Sequence, residues 1–138
     1  MNGKTILILG GGVGGIVVAN ELRRKLPHEH KVVLVEKNTE HAFAPSFLWL
    51  MTGTRKTHDI TVDMSSLLHR GIDIRNEEVM AISPEGKYVE TEKGKIHFDY
   101  LVAALGAELH PELLPGLPSE AHDYYTANGA DRRRRESY

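Results

Sequence analysis

A glycine-rich turn near the start of the chain restricts the fold more than any other feature. An apolar run, residues 5–9, leads directly into Gly10-Gly11-Gly12-Val13-Gly14-Gly15, and a helical pattern follows. A second apolar run, residues 32–35, ends at Glu36. The order strand, tight turn, helix, strand and acid contains a G-x-G-x-x-G motif and predicts a βαβ unit that binds an adenine dinucleotide.

Each part of this motif has a physical role. Gly10 allows a turn that a Cβ would block, Gly12 allows the main chain to approach a pyrophosphate, and Gly15 allows the helix to pack tightly on the strand. The free N–H groups and the positive dipole end of the helix favour phosphate. Glu36 is placed to accept hydrogen bonds from ribose hydroxyls, and its charge disfavours a 2′-phosphate, so NADP is not expected.

Composition limits the remaining classes of function. The 138 residues suffice for one domain with a core, and a net charge of −2 argues against nucleic acid as a partner. The chain has no cysteine, which excludes disulfides and thiolate metal sites within it. No apolar segment is long enough to span a bilayer, and the glycine cluster interrupts the signal-like start, so a cytoplasmic location is expected.

The rest of the chain predicts an α/β fold. The helix places Ile16, Ala19, Leu22 and Leu26 on one face and ends at Pro27. The predicted elements that follow are a short helix at 63–71, a parallel strand at 72–74, a β-meander at 78–83, 88–91 and 95–97, and a buried strand at 100–104. Residues 38–57 show no clear period. Residues 1–107 are predicted to form one half-domain, and residues 108–138 a connecting segment with a disordered tail.

Three other patterns carry less specific information. The eight histidines lack ligand spacing, so no metal site is predicted. Arg132 to Arg135 are interpreted as part of the tail rather than as a phosphate-binding patch. The apolar side chains of the 43–51 segment suit either a quinone or membrane contact or packing in a core, and core packing is favoured; they are Phe43, Phe47, Leu48, Trp49 and Met51.

Several segments together resemble a known family. They are the glycine turn, Glu36, residues 42–49, residues 98–106 and residues 122–126. These resemble the FAD-binding start of flavoproteins with two dinucleotide-binding domains, and most of all sulfide:quinone oxidoreductase and its type II NADH dehydrogenase relatives. Leu105 stands where that family usually has threonine. The resemblance implies a Rossmann-like FAD-binding domain, with a parallel sheet, helices and a β-meander, that is incomplete in this chain.

The resemblance also implies roles for individual residues toward FAD, and no catalytic residue is assigned. Residues around the pyrophosphate would be Gly10, Gly12, Val13, Gly14 and Gly15. Glu36 would hold the adenosine ribose, and Lys37 and the backbone of Val79 would lie beside the adenine. Residues near the isoalloxazine ring would be Pro45, Ala104, Leu105 and Gly106.

By the same resemblance, the parent protein would be an FAD-dependent oxidoreductase that passes electrons to a quinone or a similar acceptor. It would contact the inner face of a membrane peripherally and form a homo-oligomer. The family's second NAD-like domain, its later Gly-Asp motif and its cysteines are not present, so the chain is expected to be a truncated N-terminal fragment. Three alternatives stay open: a non-catalytic dinucleotide-binding module, a type II NADH dehydrogenase-like flavoprotein, and a small NAD-binding Rossmann domain.

Overall fold

The computed structural model describes residues 3–116 and 123–136, with side chains through Arg132. The chain forms two compact units. The first contains Met1–His41 and Asp63–Gly106, and the second contains Ala42–Val62 and Ala107–Tyr138. The predicted boundary at residue 107 stays a prediction. Within the described ranges, no helix is long and apolar enough to cross a membrane.

A four-stranded parallel sheet is the centre of the first unit. Its strands are β1 (Thr5–Leu9), β2 (Lys31–Val35), β5 (Ile72–Arg75) and β9 (Tyr100–Ala103), in the order β5-β2-β1-β9. Helix α1 (Val13–Lys25) connects β1 to β2. The predicted βαβ unit, third parallel strand and last strand are therefore present. The last strand is not buried as predicted, because β9 is at the edge of the sheet with Tyr100 and Ala103 exposed.

Both faces of β1 and β2 are buried, which explains why their sequences are continuous apolar runs. On one face, Leu7, Leu9, Val33 and Val35 pack with Val89 and Phe98. On the other face, Ile8, Val32 and Leu34 pack with Ala19 of α1 and with Met64. The helix contributes the predicted stripe, since Ile16, Leu22 and Leu26 pack against this second cluster.

Arg23 completes the end of α1 in a way that the sequence did not indicate. Its side chain is 7% exposed, and its guanidinium donates hydrogen bonds of 2.8 Å to the carbonyls of Leu26, Pro27 and His30. These carbonyls lie where the helix ends and the chain turns toward β2, so the arginine satisfies acceptors that the broken helix leaves open.

Asp99 ties the beginning of β9 to the beginning of β1. Its carboxylate accepts the Thr5 N–H at 2.8 Å and the Lys4 Nζ at 3.0 Å. These two interactions hold the pKa of Asp99 below its ordinary value, and the hydrogen bond from the Thr5 N–H has the larger effect.

The predicted meander is present as an antiparallel three-stranded sheet. It consists of β6 (Val79–Ser83), β7 (Tyr88–Thr91) and β8 (Gly94–His97). At its base the Thr91 hydroxyl donates a 2.5 Å hydrogen bond to the buried carboxylate of Glu77.

The predicted helix over residues 63–71 is wrong. Asp63 ends strand β4 (Thr61–Asp63), which forms a two-stranded sheet with β3 (Glu40–Ala42). A 3₁₀ helix then covers only Met64–Leu67, and Leu68 is extended. The Asp63 carboxylate does accept the Ser65 N–H, and the Ser66 hydroxyl donates to the Asp63 carbonyl. These bonds cap the start of the 3₁₀ turn, and the extended Leu68 ends it.

The second unit has its own small core. Helix α2 (Phe47–Met51) packs on helix α3 (Ala127–Glu136), and the buried side chains are Phe47, Leu50, Ile60 and Ala130. Residues 38–57, which show no clear period in the sequence, contain β3 and α2. Part of the expected tail is helical, since α3 covers Ala127–Glu136 and its Ala130 is fully buried. His122, which contributed to the resemblance, lies outside the described residues.

The apolar 43–51 segment is divided between core and surface. Phe47 and Leu50 are buried and Met51 is partly buried, whereas Phe43, Leu48 and Trp49 are exposed by 51%, 60% and 41%. Arg55 stacks over the Trp49 ring at 4.3 Å. The favoured expectation of core packing therefore holds for one face of α2 only.

Candidate functional site at the carboxyl edge of the parallel sheet

The glycine turn is closed by backbone at its two ends. Gly10 has φ +99°, in the left-handed region that favours glycine, and a Cβ there would lie 2.3 Å from the Ala104 carbonyl oxygen. A Cβ on Gly15 would lie 1.8 Å from the Gly10 carbonyl oxygen. The predicted steric roles of these two glycines therefore have a direct structural basis.

The middle of the turn is open. Gly12 is exposed, and a Cβ built on it would meet no atom of the described residues within 4 Å. Gly14 is also exposed, with its nearest such contact at 3.9 Å, and Val13 is 63% exposed. Gly12 is the N-cap of α1 and makes no side-chain cap hydrogen bond. The first N–H groups of the helix thus face an open cradle at the positive end of its dipole.

Glu36 follows β2 and points its carboxylate at the same turn. Its Oε2 accepts the Gly11 N–H at 2.7 Å, and its Oε1 accepts the backbone N–H and side-chain amide of Asn38 at 2.9 and 2.8 Å. The sequence predicted this acid as a ribose ligand. In the structure its carboxylate holds the turn, a role that its position in the sequence did not reveal, and the ribose contact stays a prediction.

His41 is a residue that sequence reasoning missed. Its Nδ1 lies 3.1 Å from the carbonyl oxygen of Gly11. His41 is half-buried on β3 and belongs to the first unit. The linear spacing between Gly11 and His41 has no known signature, so only the folded chain reveals the contact.

Lys37 and Val79 were predicted to lie beside the adenine. The Lys37 Nζ is 3.5 Å from the Glu78 carboxylate, and both side chains are exposed. Val79 begins β6 and packs against the core cluster that contains Leu7 and Leu9. Their predicted positions beside an adenine stay predictions.

Ala104 is brought directly to the glycine turn. Its N–H donates to the Leu9 carbonyl at 2.8 Å, and its own carbonyl lies against Gly10. Leu105 follows with 57% of its surface exposed, and Gly106 has φ +79°. The site residues that the first unit brings to this edge are therefore the glycine turn, Glu36 and Ala104, at the carboxyl ends of β1, β2 and β9.

Pro45 belongs to the second unit. It is exposed, in the 3₁₀ helix Ala44–Ser46, and its assignment to a flavin ring stays a prediction. Among the residues described here, no group of three or more His, Asp or Glu side chains could hold a metal ion.

Comparison with known proteins identifies relatives of the whole arrangement. Residues 4–136 match the pyridine nucleotide-disulphide oxidoreductase family. The sulfide-quinone reductase of Aquifex aeolicus is 40% identical over 108 residues, which are 77% of this chain and 25% of that protein. The mitochondrial sulfide:quinone oxidoreductase of Dictyostelium discoideum is 35% identical over 121 residues, 84% of this chain and 26% of that protein.

Solved structures agree with these matches. The crystal structure of the Aquifex aeolicus sulfide:quinone oxidoreductase superposes with a TM-score of 0.87 and 32% identity, over 97% of this chain and 31% of that one. The chain therefore spans about a quarter to a third of the length of these relatives. The predicted resemblance and the Rossmann-like α/β class are confirmed, and the chain belongs to the pyridine nucleotide-disulphide oxidoreductase family.

Proposed function

We propose that this chain is the FAD-binding N-terminal portion of a flavin-dependent oxidoreductase of the sulfide:quinone oxidoreductase type. The observation that carries the proposal is the cradle at Gly12, open where a side chain would stand and bordered by glycines that the fold requires. The similarity to sulfide:quinone oxidoreductases supports the choice of activity. Because the chain matches about a quarter of those proteins, the activity proposed is that of a larger protein.

The turn fits the diphosphate of an adenine dinucleotide. Gly12 leaves room for phosphate oxygens to approach the main chain, and the first turn of α1 contains no acidic residue that would repel them. The N–H groups of Gly12, Val13, Gly14 and Gly15 are the donors that such an anion needs. Gly10 and Gly15 act indirectly, by letting the strand and the helix come close enough to form the cradle.

Glu36 fits the ribose even though the chain already uses its carboxylate. A carboxylate has roughly four acceptor positions. Three are taken by Gly11 and Asn38, and one on Oε2 stays available for a ribose hydroxyl. A negative charge at this position also opposes a 2′-phosphate, in agreement with FAD or NAD rather than NADP.

The chain's contribution is binding and orientation. A bound flavin would supply the redox chemistry, by taking up electrons from one substrate and passing them to another. Ala104 to Gly106 would border the flavin, and the exposed Leu105 would shield it from water. These 138 residues contain no cysteine and therefore supply no thiol chemistry of their own.

The acceptor proposed for the larger protein is a quinone, because the relatives are named as quinone reductases. Peripheral contact with a membrane is part of the same proposal, and the exposed Leu48 and Trp49 of α2 support it. The cytoplasmic location and the homo-oligomer stay predictions.

The first test is the visible spectrum of the purified chain after incubation with FAD and desalting. We expect retention of a flavin band by the wild-type chain and its loss in Gly12→Val, whose Cβ would meet no atom of the described residues within 4 Å. Val17→Ala is a control, since Val17 is exposed on the same helix and lies outside the glycine turn. A Gly12→Val variant that keeps the wild-type affinity for FAD and ADP would overturn the assignment.

A type II NADH:quinone oxidoreductase is the second candidate. The enzyme of Staphylococcus aureus is 31% identical over 105 residues, which favours this candidate less than the 40% identity quoted above. Sulfide and NADH should be compared as electron donors for reduction of a water-soluble quinone by the FAD-loaded chain. Flavin retention with no turnover from either donor would identify a binding module, and saturable NADH binding without FAD binding would identify a small NAD-binding domain.

A further inference from the structure

We propose that His41 is a positioning residue that aims the Gly12 N–H at the diphosphate. The inference rests on the proposed nucleotide site and assigns a role to a side chain that does not itself belong to the glycine motif. It follows from the 3.1 Å contact between His41 Nδ1 and the Gly11 carbonyl oxygen. A carbonyl oxygen only accepts hydrogen bonds, so Nδ1 must carry the proton and donate it.

The carbonyl contact fixes more than Gly11. The peptide group between Gly11 and Gly12 is trans and planar, so its carbonyl and its N–H point in opposite directions. With the carbonyl held toward His41, the Gly12 N–H is held away from it. Among the residues that the structure describes, none accepts a hydrogen bond from that N–H.

Gly11 is held on its other side as well. Its own N–H donates to Glu36 Oε2 at 2.7 Å, so both peptide groups of this residue are anchored. Glycine has more backbone freedom than any other residue, and three glycines in a row would otherwise sample many orientations. Holding the turn in one orientation reduces the entropy that ligand binding must remove, which is the usual origin of affinity through preorganisation.

The inference predicts a specific tautomer. Neutral imidazole carries one proton, and at His41 it should reside on Nδ1. Two-bond ¹H–¹⁵N correlation spectra of the full chain, about two pH units above the ordinary histidine pKa, distinguish the two tautomers. An Nε2–H tautomer at His41 would overturn the proposal whether or not the chain binds a nucleotide.

Substitutions then test the effect on binding. Asparagine places an N–H donor near the position of Nδ1, whereas glutamine places one nearer Nε2. We expect His41→Ala and His41→Gln to weaken ADP binding about fivefold, the effect of one net hydrogen bond, and His41→Asn to restore much of it. His69→Ala is the control, because His69 is exposed in the same unit and its side chain makes no hydrogen bond in the described structure.

Comparison of ADP with adenosine distinguishes a loss of positioning at Gly12 from a general loss of binding or folding. Adenosine lacks the diphosphate, so its affinity should be unchanged in all four variants, and the Gly12 amide resonance should shift in His41→Ala but not in His69→Ala. Equal losses for ADP and adenosine, or an unmoved Gly12 resonance, would overturn the positioning role. Failure of the wild-type chain to bind ADP would refute the proposed function instead, while the tautomer and the Gly12 resonance would still decide the role of His41.

Discussion

Replacement of Gly15 by alanine tests the packing of α1 on β1 most directly. A Cβ at this position would lie 1.8 Å from the Gly10 carbonyl oxygen and 3.1 Å from its carbon. Both groups are backbone, so neither can rotate aside. The helix has to move away from the strand, and this separates Ala19 and Ile16 from the cluster around Ile8.

The expected magnitude combines two opposing effects. Alanine is favoured over glycine inside a helix by about 1 kcal/mol. Overpacking typically costs about 1–3 kcal/mol, and a clash between backbone groups belongs at the upper end of that range or above it. We therefore expect Gly15→Ala to lower the free energy of unfolding by about 2 kcal/mol or more, against a total of roughly 5–15 kcal/mol for a domain.

Gly14→Ala is the matched control. It introduces the same methyl group one residue earlier, where the nearest atom would be the Ala104 Cβ at 3.9 Å, an ordinary contact. This variant should keep or slightly raise the wild-type stability. Urea unfolding followed by far-UV circular dichroism gives both values, and a Gly15→Ala variant as stable as Gly14→Ala would refute the packing described for the turn.

Three further substitutions test other contacts. Asp99→Asn should lower the free energy of unfolding near neutral pH. The hydrogen bond from the Thr5 N–H lowers the pKa of Asp99, so the stabilisation by its carboxylate is present above the unfolded value of about 3.9 and is lost as pH falls through the lower folded value. The urea midpoints of variant and wild type should therefore converge in acid. Thr91→Val should lower the free energy of unfolding, measured in urea, by about 1–3 kcal/mol, because the buried Glu77 carboxylate loses its hydrogen-bond donor. Arg23→Met should lower the thermal midpoint by several degrees; an unchanged midpoint would contradict the role assigned to its guanidinium.

The parallel sheet could be predicted from the sequence because its signals are local. The apolar runs at β1 and β2, the glycines between them and the acid after β2 all lie within the first thirty-six residues. The turns of the meander are also marked locally in the sequence, by Gly86 and Gly94. Patterns that repeat within a few residues need no knowledge of the rest of the chain.

Contacts between distant residues could not be predicted in this way. His41 meets Gly11 across 30 positions, and Asn20 donates to the Leu67 carbonyl across 47. Neither histidine nor asparagine has a sequence pattern that predicts such a partner. The same limit explains Glu36, whose place after β2 predicted a ligand contact but not its hydrogen bond to Gly11.

The remaining differences arise where packing overrides a weak pattern. In α2 the apolar residues are too dense to show which face is buried, and the structure buries Phe47 and Leu50 while exposing Leu48. In α3 the four arginines resemble a solvated tail, yet Ala130 is buried in the second unit's core. A single buried alanine among polar and charged residues gives no helical pattern that could be recognised in the sequence.

The two outer strands of the parallel sheet differ in how well they resist association. Strand β5 carries Asp73 and Arg75, whose charged groups are 3.0 Å apart and exposed. Strand β9 is uncharged, with Tyr100 61% exposed, and no described strand pairs with its outer side. Charges on an edge discourage a further strand, whereas an apolar edge with free N–H and C=O groups templates one. Concentrated solutions of this chain should therefore aggregate through β9, and a lysine in place of Tyr100 is the change expected to keep it soluble.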